Sequence, residues 1–236
     1  MRLKLKLVLA LFCCTFVLLS PWLDIFVSNF FFTKGSFSRS DFYLFIRSSA
    51  NFGSNVLLYS SIFSIIASFW YKNLRKYHLG FFLILLVPII SYQLLHKPIK
   101  NNWGRPRPIN IKEFGGEVKF QPFYKPMFIT SKDKTSYNSF PSSHCAKSFE
   151  VAILIVIGCI YRNYYVLYCG IFFTVFYGGL QAIASIATGR HFLSDTIFPL
   201  VLTLIVASFV YYLAVFAIKT LEPNVKNTTK TDFPLT

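Results

Sequence analysis

Runs of apolar residues long enough to cross a bilayer recur from one end of this chain to the other, and that restricts its fold more than anything else. A spanning helix needs about 17–25 predominantly apolar residues. Stretches of that kind lie at roughly 7–27, 55–71, 79–95, 146–161, 164–184 and 197–218. Only 14% of the 236 residues are charged, against about a quarter in soluble domains. In lipid the backbone must satisfy its polar groups internally, so such runs become helices. They leave no room for a separate soluble domain. The expected fold is all-α, a six-span transmembrane helical bundle forming a single domain over residues 1–236. The first run follows Arg2, Lys4 and Lys6 and so also resembles a secretory signal peptide. Pro21 and Trp22 come after it without a clear small-x-small cleavage pattern, which favours a retained anchor.

A net charge of +15 calls for a polyanionic partner, whether nucleic acid, anionic lipid or a phosphorylated substrate. Its placement discriminates between them. Ten basic residues and three acidic ones (Glu113, Glu117, Asp133) lie from Lys97 to Lys147. That concentration favours a phosphate site, with no nucleic acid. The five cysteines lie in or beside apolar runs without metal-ligand spacing, so neither a disulfide framework nor a structural zinc is expected. The 28 phenylalanines, scattered through the spans, read as lipid-facing or core residues.

Basic residues in loops tend to stay cytoplasmic. With the amino terminus inside, Arg2, Lys4, Lys6, Lys72, Arg75, Lys76, Arg162, Lys219, Lys226 and Lys230 fall on the inner face, and the short outer segments hold only Lys34, Arg39, Arg47 and Arg190. The long segment from Lys97 to Lys147 then lies outside, its charge explained by phosphate rather than by topology. Both termini are cytoplasmic in this arrangement. The segment 185–196 shares the outer face with the long one, so residues of the two can meet.

Three polar islands stand on that face, where ionisable residues are costly to place and functional by default. The first is Lys100-Asn-Asn-Trp-Gly-Arg105-Pro-Arg107-Pro108. Lys100, Arg105 and Arg107 offer a point charge and planar forks to phosphate oxygens, on a backbone stiffened by Pro106 and Pro108. A plain basic juxtamembrane cluster is the bland alternative. The second is Phe140-Pro-Ser142-Ser143-His144 at the start of a span. Pro141 suits a first helical turn, where Ser142, Ser143 and free amides can face an anion beside His144. The third is Gly189-Arg190-His191-Phe-Leu-Ser-Asp195. His191 and Asp195 are four apart, so on a helix the carboxylate can hold one ring nitrogen while the other attacks. Lys147 and Glu150, three apart, read as a mutually satisfied pair.

Taken together, Lys100-x6-Arg107-Pro108, Pro141-Ser-x-His144 and His191-x3-Asp195 resemble the type 2 phosphatidic acid phosphatase superfamily of six-span lipid phosphatases. The run Trp103 to Pro108, with Phe114-Gly-Gly and Phe120-Gln-Pro122, is similar to the bacterial lipid A phosphatases within it, which are inner-membrane enzymes acting at the periplasmic face. The resemblance implies a mechanism without metal or other cofactor on a phosphorylated lipid embedded in the membrane. His191 matches the nucleophile that forms a phosphohistidine, Asp195 the residue orienting it, His144 the general acid, and Lys100 and Arg107 the phosphate ligands.

Two positions depart from the family pattern. Ser143 stands for a glycine, which keeps a small residue there. Ser185 stands six residues before His191, where the family carries an arginine, and Arg190 is the expected replacement. An undecaprenyl pyrophosphate phosphatase, a lipid phosphotransferase and a non-catalytic anion-binding or transport protein remain as alternatives to a lipid A phosphatase.

Overall fold

The computed structural model describes residues 2–127 and 137–221. Lys132, Asp133 and Lys134 of the polar stretch, and Lys226 and Lys230 beyond the last span, lie outside the described residues. Among the described residues, six segments are helical, long and apolar enough to cross a membrane. The first is α1 (Arg2–Phe31), which a short hairpin of β1 (Phe32–Thr33) and β2 (Ser36–Phe37) joins to α2 (Asp41–Trp70). In the third, α3 (His78–Pro88) runs through a π-helical stretch (Ile89–His96) into α4 (Lys97–Trp103). Pro88 brings no N–H, and the helix loosens directly after it. The fourth joins α5 (Ser143–Ser148) to α6 (Ile153–Ile160) through a 3-10 turn, the fifth joins α7 (Tyr164–Phe173) to α8 (Gly179–Ala187) through a π-helical one, and the sixth is α9 (Leu193–Leu221).

Leu83, Val87, Ile153, Ile157, Val206 and Ala207 are buried together where α3, α6 and α9 meet. With lipid as apolar as leucine, helices associate in a membrane through close packing, which small residues allow. A Cβ on Gly158 would lie 2.5 Å from the Leu167 nitrogen, so α6 and α7 touch backbone to backbone. Phe45, Phe52, Phe63 and Phe69 of α2 stay exposed on the outer surface, as lipid-facing residues should. A second cluster of Phe37, Ile111, Phe114 and Phe192 fastens the hairpin and the loop after α4 to the start of α9.

α2 begins at Asp41, fourteen residues before the apolar run at 55–71. Its early half looks like loop because Arg47, Ser49, Asn51, Gly53 and Ser54 interrupt the hydrophobic pattern. Those polar groups face partners on neighbouring helices. Tyr177 Oη donates to the Ser49 carbonyl (2.8 Å), Lys147 Nζ to Asn51 Oδ1 (2.6 Å) and Ser54 Oγ to Glu150 Oε2 (2.6 Å). Lys147 and Glu150 are thus satisfied by α2 and not by each other, a correction to the pairing that their spacing suggests.

Candidate active site

The three islands are stitched to one another through their backbones. Ser139 N–H donates to Arg105 O (3.0 Å), Ser142 N–H to Asp195 O (3.0 Å), and Ile109 N–H to Gly189 O (3.1 Å). Each island, or a residue at its edge, therefore holds the other two at one end of the bundle.

The third island leaves α8 through Gly189, whose φ of +64° an L side chain rarely adopts. A Cβ there would also lie 2.4 Å from the Phe37 ring. This tight turn lets the N–H groups of Arg190 and His191 both reach Ser185 O (3.2 Å each). His191 consequently precedes α9 instead of riding on it, and the expected helical face shared with Asp195 does not form. Their closest approach, Nδ1 to Oδ2, is 3.9 Å, too long for a hydrogen bond. His191 Nδ1 lies 2.7 Å from the Ser139 carbonyl oxygen. A carbonyl only accepts, so Nδ1 carries the proton and Nε2 keeps a free lone pair. Asp195 Oδ2 accepts from Ser139 Oγ (2.6 Å) and Phe192 N–H (2.7 Å). It steadies His191 through Ser139, a residue that no sequence motif singled out. Burial holds the His191 pKa well below 6.5, and Lys100, Arg47, Arg107 and His144, in that order, push it the same way.

Arg105 was expected to bind phosphate, yet it is fully buried among protein partners. Its guanidinium donates to Asp24 Oδ2 (2.7 Å), Ser194 Oγ (2.9 Å), Gln121 O (2.8 Å) and Asp195 Oδ1. The rings of Phe192 and Phe120 flank it, with centroids 4.4 and 5.7 Å away. Ser194 closes the network by donating its N–H (2.8 Å) and hydroxyl (2.7 Å) to Asp24. Arg105 braces Asp195 from behind. Asp24 was missed, although a lone carboxylate inside an apolar span is the signal that could have found it.

The remaining predicted residues lie around the opening. Lys100 Nζ donates to Asn138 O (3.0 Å) and Pro141 O (2.8 Å), which leaves one proton for a ligand. Arg107 is half-buried, and its Nε has no protein partner. Ser142 is the N-cap of α5 and accepts from Cys145 N–H (3.4 Å), so its hydroxyl serves the helix start and Pro141 precedes the cap instead of opening the first turn. Ser143 Oγ lies 3.3 Å from His96 Nε2. His144 is half-buried in the wall of a cavity of about 630 Å³ that Arg39, Arg47, Thr188 and the exposed Arg190 also line. In the sequence Arg47 reads as a loop charge, because polar residues hide the start of α2.

Comparison with known proteins places these residues in context. The profile of the PAP2 superfamily matches residues 81–219, which include all three islands. A protein named lipid A 4'-phosphatase from Francisella tularensis subsp. novicida is 26% identical over 201 residues, covering 82% of this chain and 87% of the relative. No solved structure matches the chain.

Proposed function

This chain belongs to the PAP2 superfamily, and we propose that it is a lipid phosphomonoesterase acting on lipid A through a phosphohistidine. The observation that carries this reading is His191, with Nδ1–H held by the Ser139 carbonyl and Nε2 left unprotonated among cationic groups. Nε2 attacks phosphorus, the new N–P bond replaces the P–O bond to the lipid, and His144 protonates the departing oxygen. Water then cleaves the N–P bond and releases inorganic phosphate. Lys100 and Arg107 neutralise the phosphoryl oxygens, where preorganised charge is worth most. No metal takes part. Lipid A as the substrate is supported by the similarity to the Francisella protein and by the run from Trp103 to Pro122. The site lies at the periplasmic face of a bacterial inner membrane.

Release of inorganic phosphate from lipid A in detergent micelles, compared with phosphatidate and undecaprenyl pyrophosphate, tests the reading. His191→Ala should abolish turnover, and His144→Ala should lower it by roughly 10²- to 10⁴-fold, the usual contribution of general acid catalysis. A chelator should leave the rate unchanged and vanadate should inhibit. Undiminished release by His191→Ala would refute the scheme.

A further inference from the structure

Resting on the phosphatase reading, we propose that Arg47 of α2 supplies the phosphate-gripping guanidinium that position 185 lacks. Ser185 is fully buried, with its hydroxyl 3.8 Å from Cys145 Sγ, and a serine cannot bring positive charge to a phosphoryl group. The α8 stripe that contains it is shared with α2. Gln181, Ser185 and Thr188 follow one another at +4 and +7, so they face one way. Gln181 Nε2 donates to the carbonyl of Ile46 and to Ser49 Oγ (3.2 Å), which fixes α2 on either side of Arg47. At the other end of the stripe Arg47 Nη1 donates to Thr188 Oγ1 (2.8 Å), whose own proton is directed to Ala184 O (2.8 Å). The guanidinium thus arrives within one helical turn of Ser185, from a different helix.

Two further observations point that guanidinium at an anion. Its Nε is buried without a partner, and leaving a charged donor unmatched is costly until an acceptor arrives. Arg47 also lines the cavity beside His144, and its charge acts on His191 more strongly than that of Arg107 does. Arg190, the replacement expected from sequence, is exposed at the rim of the same cavity. Arg47 donates to the phosphoryl oxygens as charge builds on them, and Arg190 meets the substrate further out.

Steady-state release of phosphate from lipid A in detergent micelles distinguishes the outcomes. Arg47→Ala should lower kcat by roughly 10²- to 10³-fold, as loss of one preorganised donor does, and vanadate inhibition should weaken in step. Lysine retains charge without the fork, so Arg47→Lys should remain impaired relative to the parent. That variant keeps a cation against Thr188, and it decides the matter if the alanine protein does not fold. Ser185→Arg placed in the Arg47→Ala protein, or methylguanidinium added to Arg47→Ala, should restore part of the rate, which a merely structural role would not permit. Parental kcat and vanadate sensitivity in folded Arg47→Ala or Arg47→Lys, with His191→Ala inactive, would overturn the role of Arg47 and leave the phosphatase reading standing. A parent protein that releases no phosphate from any of the three lipids would overturn both.

Discussion

A histidine that attacks phosphorus has to remain unprotonated where the enzyme works, and at His191 burial and four basic neighbours act together to that end. Because its pKa is lowered from 6.5, the neutral form persists as pH falls through that value. The acid limb of kcat/KM is therefore expected well below pH 6.5, and removing Arg47 should move it upward. A pH–rate profile with its acid limb centred at 6.5 would show that His191 titrates as a free imidazole. Arg105 belongs to a different class of residue. Breaking a buried ion pair by removing one partner costs about 3–5 kcal/mol, and Arg105→Ala leaves both Asp24 and Asp195 without their cation. The expected result is a large drop in thermal stability in detergent, beyond any effect on rate. Sequence spacing made Arg105 and Arg107 look equivalent, since both sit beside a proline in one basic run. What separates them is contact with Asp24 and Asp195, 81 and 90 residues away in the chain, which no local pattern encodes.

At the scale of single helices, five of the spans were legible because lipid demands continuous apolarity, and their ends shift by up to about five residues, except that the third runs eight residues past 95, through α4 to Trp103. The exception, α2, shows where that logic fails. Its Arg47, Asn51 and Ser54 are matched by Thr188, Lys147 and Glu150 on other helices, so polarity there marks an inward face and not an exit from the membrane. The i,i+4 reasoning for His191 and Asp195 failed for a related reason: Gly189 breaks the helix, and α9 starts only at Leu193. Close packing of α6 on α7 gives a test at this scale. In Gly158→Ala the methyl group would meet Leu167 backbone, which cannot swing aside as a side chain can. A loss of roughly 1–3 kcal/mol, typical of overpacking, is expected from thermal denaturation, with kcat changed little because the site lies at the other end of the bundle.

The molecule as a whole has two distinct ends. Tyr77 and Tyr161 pack ring to ring (5.3 Å) and Tyr161 Oη accepts from Gly80 N–H (3.1 Å), which brings the turns carrying Lys72, Arg75, Lys76 and Arg162 together. The hairpin after α1 and the three islands occupy the opposite end, where Phe37 packs under Gly189. In the proposed orientation a cysteine at the exposed Glu117 should react with an impermeant thiol reagent applied from the periplasmic side of intact cells, and labelling only after the inner membrane is opened would overturn that orientation. The buried network of Asp24, Arg105 and Ser194 has a consequence for how the chain is made. A ribosome delivers Asp24 first, Arg105 some eighty residues later and Ser194 with the last span. A carboxylate inside a spanning helix is costly to leave unpaired, so α1 enters the bilayer with an unmet charge that Arg105 answers after the third span and Ser194 encloses with the sixth. Nascent chains halted before residue 194 hold an incomplete lock, and α1 lacks its tie to α9 until that helix has been made.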